Sequence, residues 1–413
     1  MSTHLAPAET VAIPRRPLSA RTWAATHRFR PVLVILTALF AVFAVTQDGF
    51  VEWSNISNLL TGVAILWVVA VGMTFVLISG GFDLSVGSTM ALAGLFLAAT
   101  LDLGLPAGIA VPLTVLFGGL VGATVNGVLI GQLRLSFFVV TLASMIGITG
   151  VVNLWSGTET EFVDSTLIER IGMGDVFGVA TAIWIMVATL AAALWIQHRT
   201  HLGRDIYAVG GSRTAARLAG IRTGRTLVIV YGISGLAAGL AGVIAVGRIG
   251  AASPQVDNVV ALNAAAAVLL GGTSLMGGAG GVGGTALGVL FIGVLQNGLS
   301  TAGIDAFWQQ IVTAVILILA VLGDRAGDRD GAYRRLVQRI STLREKRAAG
   351  TAPSADPAAV TVSAQSTDGV RSVPAPDAAT AGPALAVGRA VQTAGEPLTP
   401  AESLPITVTE EVR

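Results

Sequence analysis

The stretch 53-WSNISNLLTGVAILWVVAVGMTFVLISGGF-82 contains no charged residue, and it ends directly before an aspartate, Asp83. A helix that crosses the hydrocarbon core of a bilayer needs about 20 consecutive, predominantly apolar residues. In lipid, the backbone groups of such a segment must find hydrogen-bond partners within the segment itself. A run of this length and composition therefore predicts a membrane-spanning helix.

The same pattern recurs along most of the chain. Hydrophobic residues make up 53% of the sequence, charged residues make up 12%, and the mean hydropathy is +0.75. Soluble domains carry about 25% charged residues, so the chain is far too apolar for that class. The sequence predicts an all-α fold, a polytopic transmembrane helical bundle. The other uncharged runs are 31–47, 84–101, 103–133, 135–158, 176–198, 226–247, 258–304 and 306–323.

The charged segments between these runs predict the orientation, because cytoplasmic loops collect arginine and lysine. Segment 198–225 contains six arginines and one aspartate, so it is expected inside. Segments 48–59 and 156–175 are acidic and are expected outside. Together, these inside and outside assignments predict about ten spans, with both termini in the cytoplasm. The spans are placed at about 31–47, 61–79, 86–101, 106–130, 137–155, 178–197, 226–247, 259–276, 283–303 and 306–323.

The composition also divides the chain into regions. Residues 1–30 are expected to form a basic cytoplasmic tail, 31–325 the transmembrane domain, and 326–350 a charged cytoplasmic segment. Within the transmembrane domain, the glycines of 259–281 indicate a broken or re-entrant segment. Residues 351–413 offer little bulky apolar surface to bury, so they are predicted to be disordered and dispensable for the core activity.

Several kinds of chemistry are excluded by residues that the sequence lacks. There is no cysteine, so disulfides, thiolate metal sites and cysteine nucleophiles cannot occur. The four histidines all lie outside the predicted spans, which argues against a metal or haem site in the membrane. No glycine is followed by lysine, so the chain has no P-loop for ATP. We expect no cofactor, no metal, no catalytic residue and no nucleic-acid partner.

The basic segment contains a short predicted helix, 212-SRTAARLAGI-221. Ser212 is a favourable N-cap, and Gly220 can adopt the left-handed conformation that often ends a helix. Arg213 and Arg217 are four residues apart and share a face. The segment can be an ordinary positive-inside loop. Alternatively, a capped helix too short to span, with Tyr207 nearby as an anchor, is typical of a surface on which a soluble partner docks.

Three segments together resemble a known family: 72-GMTFVLISGGFDLSVGS-88, 203-GRDIYAVGGSRTAARLAGI-221 and 269-LLGGTSLMGGAGGVGGTALG-288. With 126-NGVLIG-131, 137-FFVVTL-142 and 296-QNGLSTAG-303, they are similar to the permease subunits of ribose- and xylose-type ATP-binding-cassette importers. The resemblance extends in order from about residue 31 to 325.

This resemblance implies a multi-pass protein of the cytoplasmic (inner) membrane that imports a simple sugar. It also implies three protein partners: a cytoplasmic ATPase subunit with tandem nucleotide-binding domains, an extracytoplasmic sugar-binding protein, and a second permease copy. Membrane lipid surrounds the assembly. The residues expected to couple the permease to the ATPase are Arg204, Tyr207, Gly211, Ser212, Arg213, Ala215, Ala216, Arg217 and Gly220.

Two positions depart from the family's pattern. Asn263 stands where such permeases commonly carry an acid, and Ser136 precedes Phe137 where a proline is frequent. Because of Asn263, the resemblance does not fix the substrate: ribose, xylose, galactose-like hexoses, a related autoinducer sugar and a nucleoside all stay open.

Asp83 has two interpretations, which the sequence leaves open. As a structural group, it caps a helix where the chain breaks after two glycines. As a functional group, an acid within a membrane domain usually faces a cavity or a substrate path. The asparagines in the spans are likewise either interhelical hydrogen-bond partners or pathway groups. The pathway candidates are Asp83, Ser85, Asn126, Thr141 and Asn297.

Two further classes of function fit the sequence less well than the ATP-driven permease. An ion-coupled secondary transporter usually needs several acids or histidines inside its spans, and here Asp83 is the single candidate acid. An intramembrane enzyme would need a second acid or a histidine beside Asp83, and none lies in the predicted spans.

Overall fold

The computed structural model describes residues 18–255, 259–305, 307–315 and 318, with side chains from residue 32 onward. The chain is mainly helical. Its helices are α1 (Leu18–Thr46), α2 (Trp53–Ile78), α3 (Val86–Asp102), α4 (Ala107–Val121), α5 (Leu129–Gly131), α6 (Phe137–Ser156), α7 (Thr166–Gly172), α8 (Thr181–Arg199), α9 (His201–Gly211), α10 (Arg213–Leu218), α11 (Thr223–Ile249), α12 (Val259–Leu270) and α13 (Val282–Thr301).

A π-helical stretch, Gly122–Val128, joins α4 to α5, so that residues 107–131 form one long helix. Among the described residues, six helices are long and apolar enough to cross a membrane: α2, the combined helix 107–131, α6, α8, α11 and α13. Three shorter apolar helices lie at Val32–Thr46, Val86–Asp102 and Val259–Leu270. The polytopic helical bundle is confirmed. Each predicted span falls on one of these helices except the last, of which residues 307–315 are helical.

The observed helices differ from the predicted spans at several ends. The predicted span 259–276 is too long, because α12 ends at Leu270 and the glycines from Gly271 onward leave the helix. The chain is therefore broken within 259–281, as its glycines indicated. Conversely, α2 begins at Trp53, inside the segment expected as an outer loop, and α1 begins at Leu18, inside the expected basic tail.

Four strands of two residues each were not predicted. β1 (Glu161–Phe162) pairs with β4 (Ala251–Ala252), and β2 (Asp175–Val176) pairs with β3 (Val179–Ala180), both antiparallel. α7 and the β1–β4 pair hold the acidic segment 156–175 against the end of α11, whereas β3 contacts α2 and α8. Strands this short carry no periodic sequence signal.

The centre of the bundle is formed by α2 and α11. α11 contacts α2, α3, α4 and the π-helical stretch, and α2 also contacts α8, α12 and α13. Most of α2 is buried, from Val63 to Ile78, whereas α6 and α8 are mostly exposed. The exposed side chains on α6 and α8 are largely apolar, as expected of helices that face lipid or another apolar protein surface.

The predicted terminal regions lie mostly outside the described residues. Residues 1–17 and 319–413 are not described, and this range includes the charged segment 326–350 and the tail 351–413. The proposals for these regions stay predictions.

Candidate functional site

The break between α2 and α3 brings Asp83 into the interior. Gly80 follows α2 with φ of +75°, a conformation that residues with a side chain rarely adopt, and it turns the chain out of the helix. Residues 81–83 are not helical, and α3 begins at Val86. The Asp83 side chain is only 2% exposed. A local glycine turn thus places a carboxylate inside an apolar bundle.

Both carboxylate oxygens of Asp83 accept hydrogen bonds. Oδ1 accepts from the Ser85 backbone N–H at 3.0 Å and from the Ser85 hydroxyl at 2.7 Å. Oδ2 accepts from the hydroxyl of Ser234, on α11, at 2.8 Å. The bonded amide belongs to Ser85, the residue before α3, and α3 has no side-chain cap hydrogen bond, so Asp83 closes the turn ahead of the helix and does not cap its first amides. The bond to Ser234 adds a link to a helix distant in sequence.

Asn126 extends this cluster to two further helices. Its Nδ2 donates to the Ser85 hydroxyl at 2.7 Å and lies 3.4 Å from Asp83 Oδ1. Its Oδ1 accepts from the hydroxyl of Ser144, on α6, at 2.6 Å. Asn126 lies in the π-helical stretch, and such stretches are frequent at functional sites. We call Asp83, Ser85, Asn126, Ser144 and Ser234 the Asp83 cluster.

The donors of the Asp83 cluster are hydroxyls and amides, all electrically neutral. A buried carboxylate is costly unless its oxygens are hydrogen-bonded, and here both oxygens are. The cluster holds together the α2–α3 break, the π-helical stretch, α6 and α11. It therefore acts at least as an interhelical link in the core of the bundle.

The other two pathway candidates do not join the cluster. Thr141 is buried on α6, and its hydroxyl donates to Phe137 O of its own helix at 2.9 Å. Asn297, on α13, exchanges two hydrogen bonds with Asn55: each Nδ2 donates to the other's Oδ1, at 3.0 and 3.1 Å. Asn55 lies in the first turn of α2, at the opposite end from Asp83. The five candidates are thus divided among three places.

Ser144, Ser234 and Asn55 were missed by the sequence reasoning. Each is a small polar residue in an apolar helix, and such residues are common in membrane helices, so none stands out by type. They can be recognised only from the structure, because each forms a hydrogen bond with a residue of another helix.

The basic segment 198–225 folds into two consecutive helices, α9 and α10, rather than one. Thr200 caps α9, its hydroxyl accepting from Gly203 N at 3.2 Å. Ser212 caps α10, accepting from Ala215 N at 3.2 Å, as predicted. The sequence did not predict that 203–211 is helical. Amphipathic segments interrupted by glycines give a weak helical signal.

The C-terminal end of α10 is closed by a Schellman motif. Gly220 has φ of +82°, its N–H donates to Arg217 O at 3.0 Å, and Ile221 N donates to Ala216 O at 3.0 Å. These two bonds satisfy carbonyl groups that the helix end leaves without partners. The predicted role of Gly220 as the residue that ends the helix is confirmed.

The coupling candidates lie on two sides of this helix pair. Ala216 is buried, Tyr207 and Arg213 are half-buried, and the others are exposed: Arg204, Gly211, Ser212, Ala215, Arg217 and Gly220. Leu218, which the sequence analysis did not single out, is 87% exposed. α10 thus presents one leucine, small residues and an arginine on its outer surface.

The inner side of the pair meets the glycine-rich segment 271–281. The Tyr207 hydroxyl donates to Gly280 O at 2.6 Å and accepts from Gln197 Nε2 at 3.0 Å. Gln197 Oε1 accepts from Val282 N, in the first turn of α13, at 2.9 Å. Tyr207 thus ties α9 to the glycine-rich segment and to Gln197 of this chain, and its predicted role in coupling to a partner stays a prediction.

Comparisons with known proteins agree with this architecture. A family described as the permease component of branched-chain amino acid transport systems matches residues 55–321. The Ribose import permease protein RbsC of Escherichia coli (strain K12) is 40% identical over 296 residues, covering 71% of this chain and 92% of that protein. RbsC of Bacillus subtilis (strain 168) is 37% identical over 298 residues, with coverages of 70% and 90%.

The Xylose transport system permease protein XylH of Escherichia coli (strain K12) is 34% identical over 365 residues, covering 72% of this chain and 92% of that protein. No solved structure matches the chain significantly. The chain belongs to this family of membrane permeases. It is a multi-pass protein of the cytoplasmic membrane, as the sequence predicted.

Proposed function

We propose that the chain is the membrane permease of an ATP-binding-cassette importer that brings a simple sugar of the ribose, xylose or galactose class into the cell. ATP hydrolysis takes place in a separate cytoplasmic subunit with tandem nucleotide-binding domains. The names of the ribose and xylose permeases to which the chain is similar support this substrate class.

The observation that carries the coupling part of the proposal is the α9–α10 pair. α10 has six residues and exposes Arg217 and Leu218. The Ser212 side chain caps its N-terminal end, and backbone hydrogen bonds of the Schellman motif cap its C-terminal end. A helix this short is marginal on its own, so its caps and its packing through Ala216 maintain its shape. A fixed shape with an exposed outer surface suits docking into a groove of the ATPase.

The proposed assembly contains two copies of the permease and an extracytoplasmic sugar-binding protein. Ten spans with both termini in the cytoplasm place α9 and α10 inside and the acidic segment 156–175 outside. The charge asymmetry of these segments supports that orientation. In the proposed cycle, closure of the ATPase on ATP moves α9 and α10, and the pathway between two permeases alternates its opening.

The substrate part of the proposal rests on the chemistry of the buried polar groups. A sugar is neutral and polyhydroxylated, so a path for it requires hydroxyl and amide groups rather than fixed charges. The serine hydroxyls and the Asn126 amide of the Asp83 cluster, together with the Asn55–Asn297 pair, supply such groups. We retain Asp83, Ser85, Asn126, Thr141 and Asn297 as candidate pathway residues.

The test is reconstitution of the chain in proteoliposomes, with and without its ATPase and binding protein. The permease alone is expected to give no uptake of labelled ribose or xylose, and the full assembly is expected to give ATP-dependent uptake. Uptake by the chain alone, driven by a proton gradient, would instead favour an ion-coupled secondary transporter.

Variants of α10 test the coupling part. Gly220→Pro removes the N–H that donates to Arg217 O and forbids the left-handed conformation, while all arginines stay in place. Ala216→Pro breaks the helix interior, at a cost of about 3 kcal/mol or more. Both variants are expected to insert normally, to lose co-purification of the ATPase, and to lose uptake.

The matched control replaces Arg213 and Arg217 by lysine, which keeps the charge and the helix. If the segment serves only orientation, all of these variants transport normally. Full ATPase binding and full uptake in both proline variants would exclude α10 as the coupling element.

A further inference from the structure

Three backbone segments meet without intervening side chains beside the α9–α10 pair. They are the end of α2, the end of α9 and the glycine-rich segment 271–281. Gly278 N donates to Ile78 O at 2.8 Å, and a Cβ placed on Gly210 would collide with that same carbonyl group. A Cβ on Gly277 would lie 2.8 Å from the backbone of Gly80.

Such contacts leave little freedom for one segment to slide past another. Close-packed backbones without side chains cannot accommodate a shift by changing rotamers, and packed interfaces tend to have discrete arrangements. Gly80 is also the residue that turns the chain toward Asp83. The contact therefore connects α9 to the α2–α3 break.

Two side chains also form hydrogen bonds that join these segments. The Tyr207 hydroxyl, on α9, bonds to Gly280 O, and Gln197, at the end of α8, bonds to both Tyr207 and Val282 N. Gly281 could not carry a side chain without displacing Gln197, because a Cβ there would lie 2.6 Å from Gln197 Nε2. α8, α9, the glycine-rich segment and α13 are thus joined through one chain of hydrogen bonds.

We propose that Tyr207 and Gln197 are positioning residues that fasten the glycine-rich segment 271–281 to α9, so that the segment follows α9 when the ATPase moves it. The motion then reaches the start of α13 through Val282 and the α2–α3 break through Ile78 and Gly80. This inference rests on the proposed function, since it takes the α9–α10 pair as the contact with the ATPase. It assigns Tyr207 to transmission within the permease.

The first test compares Tyr207→Phe with wild type in the reconstituted assembly. The variant keeps the ring and removes the hydroxyl, and with it the hydrogen bonds to Gly280 O and from Gln197 Nε2. We expect ATPase co-purification to be unchanged, and the uptake of labelled ribose or xylose per ATP hydrolysed to fall by about threefold to tenfold, as the loss of one or two hydrogen bonds implies. Thr189→Val is the control, because that hydroxyl, in the middle of α8, donates to the carbonyl groups of Ile185 and Met186 in its own helix.

The second test measures whether the segment follows the helix pair. Since the chain has no cysteine, spin labels can be placed at His201→Cys, at the start of α9, and at Met276→Cys, both at exposed positions. In wild type, the label distance is expected to be the same in the nucleotide-free and ATP-bound assemblies. In Tyr207→Phe, the distance distribution is expected to broaden or to shift with nucleotide.

Two results would overturn the inference: a nucleotide-dependent distance in wild type, or identical distance distributions in wild type and Tyr207→Phe. Both distance measurements require only that the ATPase binds to the permease. A failure of the proposed function has a different signature, namely a wild-type assembly that shows no ATP-dependent uptake or does not bind the ATPase.

Discussion

Gly118 of α4 and Gly235 of α11 lie back to back, each in contact with the other's carbonyl group. A Cβ on Gly118 would be 2.5 Å from Gly235 O, and a Cβ on Gly235 would collide with Gly118 O. The same relationship continues along both helices, where Gly122 faces Tyr231 and Gly235, and Gly131 faces Gly224. Small residues permit this close approach, and dispersion contacts hold helices together in a membrane, where the hydrophobic effect between helices is weak.

The first prediction concerns this glycine contact. Gly118→Ala and Gly235→Ala are each expected to destabilise the protein by about 1–3 kcal/mol, because a methyl group would have to displace backbone. Gly147→Ala on α6 is the control, since a Cβ there meets nothing within 4 Å. Thermal unfolding in detergent, followed by circular dichroism, measures the differences. Equal stability of all three variants would contradict the close helix contact.

The second prediction concerns the Asp83 cluster. Asp83→Asn replaces an acceptor by an amide whose NH₂ group would face the hydroxyls of Ser85 or Ser234. We expect a larger loss of stability from this change than from Ser234→Ala, which leaves one buried acceptor of Asp83 without its partner, at a cost of about 1–3 kcal/mol. Detergent melting temperatures give the order. Asp102→Asn, at an exposed position, is the control and should be neutral; an equally neutral Asp83→Asn would show that the cluster carries no stability.

The third prediction concerns the reciprocal amide pair of Asn55 and Asn297. A double-mutant cycle with alanine at both positions is expected to give a coupling energy of about 0.6 kcal/mol, and at most about 1.7 kcal/mol, as for other hydrogen bonds between membrane helices. The cycle is measured by unfolding in detergent. Asn55→Ala combined with Asn126→Ala should be additive, because these residues share no partner. Zero coupling between Asn55 and Asn297 would count against the pair.

The fourth prediction concerns orientation. A cysteine at Thr160 is expected to react with a membrane-impermeant maleimide on intact cells, and a cysteine at Leu218 is expected to react only after the cells are opened. Both positions are exposed, and the cysteine-free background makes the labelling specific. The reverse pattern would overturn the proposed ten-span arrangement.

The fifth prediction concerns the C-terminal tail. Truncation after Gly350 is expected to leave uptake by the reconstituted assembly near the wild-type level, since the composition of 351–413 cannot support a packed core. Loss of uptake at a normal membrane level of the protein would reveal a function of the tail.

Most of the helices could be predicted from the sequence, because a bilayer imposes a strong constraint on length and apolar composition. The run 53–82 shows this: its helix and the break before Asp83 both follow from uncharged residues and paired glycines. The caps of α10 could also be predicted, since Ser212 and Gly220 act on atoms only a few residues away.

The partners of Asp83 could not be predicted, because they depend on which helices become neighbours. Ser234 is 151 residues away along the chain, and nothing in its local sequence distinguishes it from the other hydroxyl residues of the spans. The end of α12 was misplaced for a related reason. Its glycines signal a break, but several of them could end the helix; the structure ends it with a Schellman motif, in which Gly272 has φ of +82°, its N–H donates to Leu269 O and Thr273 N donates to Val268 O.

The π-helical stretch has a consequence for insertions and deletions. Gly118 and Gly122 are four residues apart, as are Gly127 and Gly131, but Gly122 and Gly127 are five apart, and all four face α11. If residues 118–131 formed a regular α-helix of 3.6 residues per turn, Gly127 and Gly131 would be rotated away from α11. The wider turn of the π-helical stretch accommodates the extra residue and keeps both glycines facing α11. Removing one residue between Gly122 and Gly127 would restore α-helical spacing and leave both glycine pairs against α11. Elsewhere in a spanning helix, the same deletion would rotate everything that follows by about 100°. Among related permeases whose spanning helices differ in length by one residue, we therefore expect the insertion or deletion to lie between the positions of Gly122 and Gly127.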